Sequence, residues 1–152
     1  MANYESTEFA LAYTTKSKLG PESKDGKLRR LVSSYTAPAG IVAGSTISFA
    51  KLPANAVISN ASISFSIATA SLTLDVGWLA GSEALEAAVV DGIFDAVTGN
   101  ATTSSNMNKD AASVEAGLDK KFLEEVEISA LTAGATIATG AIIRLELEYI
   151  LE

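Results

Sequence analysis

Ser48-Phe49-Ala50-Lys51 matches S-x-x-K, the spacing at which a lysine can sit beside a serine nucleophile. That chemistry uses a helix, where residues three apart share a face. The surrounding stretch 45–52 instead alternates, with Ile47 and Phe49 on one side, and reads as a strand, where positions three apart face opposite ways. The companion elements S-D-N and K-T-G are absent from the sequence. Glu146 and Glu148 form a second pair. They share one face of an alternating segment, about 6–7 Å apart by strand rise, near the carboxylate spacing of an inverting glycosidase. Their neighbour is Arg144, and nothing nearby predicts the apolar pocket that would raise one carboxyl's pKa. Asp91, Asp95 and Asn100 are oxygen donors in the right region for calcium, but the D-x-D-x-D-G spacing and its closing glutamate are missing. No glycine loop of the phosphate-binding kinds occurs.

The composition excludes more. With no cysteine and no histidine, the chain has no disulfide framework, no zinc site of the usual ligands and no imidazole-based triad. No cofactor is expected. No apolar run approaches the roughly 20 residues that span a bilayer, so no membrane partner is expected. The first residues carry Glu5 and Glu8 and no basic stretch ahead of an apolar block, so no secretory signal is expected. A length of 152 residues suits one domain with a real core.

The charge of −7 is uneven. Lys16, Lys18, Lys24, Lys27, Arg29 and Arg30 face only Glu22 and Asp25 in the same stretch, a local balance of +4 that leaves −11 on the remainder. A basic arm on an acidic body would lie on its own body, on a neighbouring copy or on another acidic surface. Nucleic acid is not expected as the partner, because the body would repel it and the arm has no interleaved aromatics for base stacking.

These charges have to be positioned by the elements around them. Residues 1–27 show neither helical nor strand period and contain the turn signals Gly20-Pro21 and Asp25-Gly26, so they read as an extended N-terminal arm. Residues 28–152 read as one domain. Segments 28–36 and 45–52 are β-rich, and Pro53 with Asn55 marks a turn into a strand over 56–67, where Ile63, Phe65 and Ile67 share a face. Leu72, Leu74, Val76 and Trp78 share a face of the next strand, and the short "ATA" between the two predicts a hairpin. Residues 81–99 predict a short helix, with Ser82 as N-cap and an alanine-rich body. Residues 100–117 are a polar loop suited to contacts. Val126 and Ile128 begin a strand, and the closing strand 141–152 turns Ile143, Leu145, Leu147, Tyr149 and Leu151 inward. Together these predict an all-β fold, a single β-sandwich or jelly-roll domain with an extended arm and a short helical insertion; a shorter β-barrel is the alternative.

The layout resembles that of small structural proteins of tailed-bacteriophage virions, of the capsid decoration or head-fibre type. The resemblance lies in Met1-Ala2 with Ser6-Thr7-Glu8-Phe9-Ala10, in Lys27-Leu28-Arg29-Arg30, and in Leu52-Pro53-Ala54-Asn55-Ala56, where Asn55 replaces the usual Gly. It continues through Thr73-Leu74-Asp75-Val76-Gly77, Asp91–Phe94 and the alternating C-terminal strand. It implies a non-enzymatic protein, made in the host cytoplasm and located on the virion surface, that binds the outside of the major capsid protein shell. It also implies self-association, often as a homotrimer. Phe9, Leu11, Tyr13, Lys16, Lys18, Lys24, Lys27, Arg29 and Arg30 are then the expected partner-binding residues. A head-fibre base, neck or tail component or an adhesion module is the other reading. Loops 100–117 and 132–140 lack the aromatics that a glycan-binding module would display.

Overall fold

The strict apolar–polar alternation of the C-terminal segment is realised from Ile143 to Tyr149, and Leu151 is partly buried against the core. Ile143, Leu145, Leu147 and Tyr149 are buried, while Arg144 points to solvent and Glu146 and Glu148 are half-buried on the outer face. A computed structural model of the chain describes residues 28–38, 41–67, 69–99 and 116–151, together with the strand backbone of 3–5 and 104–106. The described strands are β1 (Asn3–Glu5), β2 (Arg29–Thr36), β3 (Thr46–Leu52), β4 (Ala56–Phe65), β5 (Thr73–Trp78), β6 (Val89–Thr98), β7 (Ser104–Asn106), β8 (Val126–Ala133) and β9 (Ile142–Leu151). They form two sheets, ordered β1-β3-β8-β5-β6 and β2-β9-β4-β7, and every pairing is antiparallel except β1 on β3. The inward faces meet in one core that includes Ile47, Phe49, Leu74, Trp78 and Ile128 from the first sheet and Ile58, Ile63, Leu145 and Leu147 from the second. This is the expected sandwich.

Two expectations fail locally. The strands either side of "ATA" do not form a hairpin: β4 pairs with β9 and β7, and β5 pairs with β8 and β6. Each has one fully apolar face, and two such faces hide more surface opposed across a core than side by side in one sheet. The chain therefore crosses between sheets after Phe65. Ile67 lies beyond the strand end and is exposed, while Leu72 is buried. Nor does a helix form within 81–99: residues 82–86 are turns and bends, and 89–98 are β6. Val89, Val90, Ile93 and Val97 are β-branched and suit a strand better than the alanine content suggested. Ala84 has φ 58°, a left-handed conformation that a helix does not accommodate. The strand also needs Gly92, because a Cβ there would sit 2.2 Å from Cζ3 of Trp78. Asn55, by contrast, takes the left-handed conformation expected of it, with φ 66°.

One polar pair inside the sandwich is matched across the two sheets. The β3–β8 register shifts between Ser48 and Ala50, making Phe49 the extra residue of a bulge. Its carbonyl accepts a hydrogen bond from the hydroxyl of buried Ser33, 2.7 Å away on the opposite sheet. A bulge frees a backbone acceptor in the core, and a serine among apolar neighbours supplies its donor.

Ser33→Ala should therefore lower the unfolding free energy by about 1–3 kcal/mol through a stranded buried acceptor. Phe49→Ala should cost about 3–5 kcal/mol through a cavity. Thr36→Ala, at an exposed position of the same strand, should stay within about 0.5 kcal/mol of wild type. Urea denaturation measures all three, and equal effects of Ser33→Ala and Thr36→Ala would contradict the matched pair.

Candidate functional site

The bulge that frees the Phe49 carbonyl also decides the S-x-x-K motif. One extra residue reverses strand parity, so Ser48 and Lys51 stand opposite Ser129 and Glu127, two positions that share a face of β8. The expectation of opposite faces is corrected on this point. The pair still has no catalytic geometry: the Ser48 hydroxyl donates to the Glu127 carboxylate, and Lys51 Nζ lies 3.2 Å from Glu125.

Glu146 of the Glu146–Glu148 pair is likewise structural. Arg30 and Arg144 both bind the Glu146 carboxylate, Arg144 at 2.8 Å. The hydrogen bond from Arg30 is the main reason that this carboxyl stays below the ordinary carboxylate range, opposite to what a general acid requires. Arg30 thus engages the chain's own body, and Arg29 stands opposite Tyr149 in the β2–β9 ladder. Phe9, Leu11, Tyr13, Lys16, Lys18, Lys24 and Lys27 lie outside the described residues, as does Asn100. Among the described residues no three metal-binding side chains come together, and no helix is long and apolar enough to cross a membrane.

The most elaborate polar arrangement joins segments 79–88 and 116–125 at one end of the sandwich. Phe122, Glu124, Val126, Ile128 and Ala130 are all buried at alternate positions, so a glutamate occupies an inward slot of a β pattern. Its carboxylate accepts backbone N–H bonds from Glu83 at 2.6 Å, Leu85 at 2.7 Å and Glu86 at 2.8 Å. These are first-turn donors that a helix would also leave without intrahelical partners; the left-handed φ of 58° at Ala84 is what breaks the predicted helix. Gly81 leaves room for the carboxylate: a Cβ there would meet Glu124 Cδ at 1.9 Å. The contact is returned, because the buried Glu86 carboxylate accepts the Leu123 N–H at 2.8 Å and pairs with Lys120 Nζ at 2.8 Å. Lys120 also stands 5.7 Å from the ring of Trp78 and 5.5 Å from that of Phe122. The two rings meet edge to face at 5.2 Å, and the indole N–H donates to the Ala87 carbonyl at 3.0 Å.

This reciprocal clasp is built for rigidity. Burial alone would raise the Glu124 pKa, but three N–H donors outweigh it and hold the carboxyl below its ordinary value of 4.5. Its oxygens are already engaged by the backbone, so it is neither a proton donor at neutral pH nor an available ligand. Leu85 and Leu123, each adjacent to a clasp glutamate, are 54% and 62% exposed, beside the exposed Glu83, Lys121 and Glu125. The sequence signal was there in Phe122-x-Glu124-x-Val126-x-Ile128, a charge at the in-phase position of an apolar alternation.

No protein-family model and no curated protein matches the chain. Solved structures do. A chain of the capsid of Ralstonia phage GP4 superposes with a TM-score of 0.77 at 23% identity, covering 99% of both chains. A chain of the cyanophage Pam1 capsid asymmetric unit superposes with a TM-score of 0.62 at 15% identity, covering 89% of this chain and 93% of that one. A chain of the acidic stable capsid structure of Helicobacter pylori bacteriophage KHP30 gives 0.50 at 14% identity, covering 85% and 92%. The fold is shared with these chains.

The sign of the Glu124 shift fixes a pH dependence. A carboxyl held below its ordinary value stabilises the fold above that value, and the contribution is lost as pH falls through the folded-state pKa. Glu124→Gln should therefore be less stable than wild type at neutral pH, with the gap narrowing below pH 4.5. Thermal unfolding from neutral pH to about pH 3 measures it. A gap of constant size across that range would contradict the clasp electrostatics.

Proposed function

We propose that the chain is a non-enzymatic structural protein of a tailed-phage virion that binds the outside of the major capsid protein shell and stabilises it. The observation that carries the reading is the near-complete superposition on a phage capsid chain, 99% of both lengths at a TM-score of 0.77. The chemistry agrees. The sequence holds no imidazole or thiol, and the carboxylates with shifted pKa are engaged by N–H donors or arginine in the direction opposite to acid catalysis. A neck, tail, head-fibre or adhesion role is the alternative, and likeness to three chains from capsid structures favours the shell.

Imaging of the native particle by cryo-electron microscopy tests the reading. Copies distributed over the whole outer shell are expected; copies confined to one vertex or to the tail would overturn it. Sedimentation of the free protein should show self-association, with a homotrimer the expected species, and a monomer both free and on the particle would count against it.

In this reading the basic N-terminal arm is a strap. Exposed charge pairs contribute roughly 0–1 kcal/mol each, whereas burying one large apolar side chain contributes about 1.5–3 kcal/mol. Phe9, Leu11 and Tyr13 should then matter more than single lysines. Deletion of residues 1–15 should weaken retention on particles lacking the wild-type protein more than Lys24→Ala with Lys27→Ala does. The lysine variant's deficit should shrink at high salt, where the charges are screened. Equal retention of the truncated and full chains would refute the strap.

A further inference from the structure

Charge is distributed by position along the sandwich. No charged residue occurs in 31–50, 52–74 or 128–143, three stretches that contain the loops 37–45, 66–72 and 134–141. The sheet registers bring these loops to one end. Thr36 stands opposite Ile142, Phe65 opposite Ile143, and Thr73 opposite both Ala133 and Thr98. Moving inward from that end, the first charges met are Arg30, Lys51, Asp75, Asp95, Glu127 and Arg144, each at least two residues inside its strand. Among the described residues this end of the molecule is therefore neutral, on a chain that carries −11 outside the Lys16–Arg30 stretch.

The neutral end is also firmly held. The Ala37 N–H donates to the Ala141 carbonyl at 2.8 Å, Gly140 N–H to the Ala37 carbonyl at 2.8 Å and Gly44 N–H to the Thr132 carbonyl at 2.7 Å. Ser66 N–H donates to the Ile142 carbonyl at 2.9 Å, and the Ser66 hydroxyl accepts the Ile142 N–H at 2.8 Å. On this frame Val42, Ile67 and Ile142 are 57%, 41% and 42% exposed. Surface fixed in this way loses little conformational entropy when it is covered.

Neutrality selects the partner. Residues nearest a rotation axis meet their own copies, whatever the order of the axis. A charge placed there faces its like, and juxtaposed like charges oppose association strongly. A surface that meets a different protein is under no such constraint, and this chain has carboxylates elsewhere to offer one. We infer that the neutral end, around Val42, Ile67 and Ile142, is where copies of this chain meet about a rotation axis. The inference rests on the self-association in the reading above and adds the surface that makes it.

Charge substitution tests it, because the effect of sign separates a like-with-like contact from any other. Val42→Lys with Ile67→Lys, and Val42→Asp with Ile67→Asp, alter exposed positions and should leave the unfolding midpoint near wild type. Each should weaken self-association about tenfold or more in sedimentation equilibrium, and an equimolar mixture of the two should associate more tightly than either alone. Unchanged self-association, weakening by one sign only, or a mixture no tighter than its components would overturn the inference. If particle retention were lost while self-association held, the neutral end would be a shell contact instead.

The chain has no cysteine, so a single introduced one reports its own surroundings. Val42→Cys and Thr139→Cys, treated with a short bismaleimide, should each link to their own copies well above the level of Lys121→Cys, which is exposed at the opposite end. Links at neither position above that control would overturn the inference. Linked, self-associating copies of a protein that imaging fails to find on the shell would keep the neutral-end contact and remove the virion reading.

Discussion

A carboxylate in an inward slot of a β-sandwich must be surrounded by donors or it will not stay charged. Glu124 meets that constraint, and much of one end of the molecule follows from it. Residues 83–86 turn about its oxygens, Gly81 keeps its Cα bare, and Ala84 adopts a left-handed conformation. Glu86 then answers from the other side, Lys120 balances it, and the lysine rests near the rings of Trp78 and Phe122. Removing one partner of such an arrangement exposes the others to an unpaired polar group, so the set behaves as a unit.

The same logic operates more quietly across the core. The Phe49 bulge and Ser33 are separate in sequence and in different sheets, but each makes sense only with the other. On the outer face of the second sheet, Arg30 and Arg144 hold Glu146 between them. Several of the charged groups are committed to a partner within the chain, Lys51 to Glu125 and Lys120 to Glu86 among them. Leu85 and Leu123 stand exposed beside the most firmly bonded of these groups.

The sandwich was readable because period-2 alternation is strong in β9, β4 and β5, and one-face burial is what such a pattern requires. The order of strands was not, because a short connection suits both a hairpin and a crossover; which forms depends on burial across the core, a non-local quantity. The helix expected at 81–99 shows how local signals mislead. Ser82 and the alanines do favour a helix, but Ala84 takes a left-handed conformation and the β-branched residues from Val89 onward pair with β5. The S-x-x-K parity failed for a related reason, since a bulge leaves no mark in the residues that flank it. Of the expected contact residues, Arg29 and Arg30 are placed in β2, and the others belong to the arm.

The edges of the two sheets have a consequence for crowding. A free strand edge invites another chain to add a strand, and identical copies packed closely together are the worst case. Here the outermost described strands are poor templates. β1 and β7 are three residues long. The β6 register is broken twice against β5, and β2 begins with two arginines. Such a molecule can be held at high local density without growing into fibres, because its neighbours find side chains to bind and no ladder to extend.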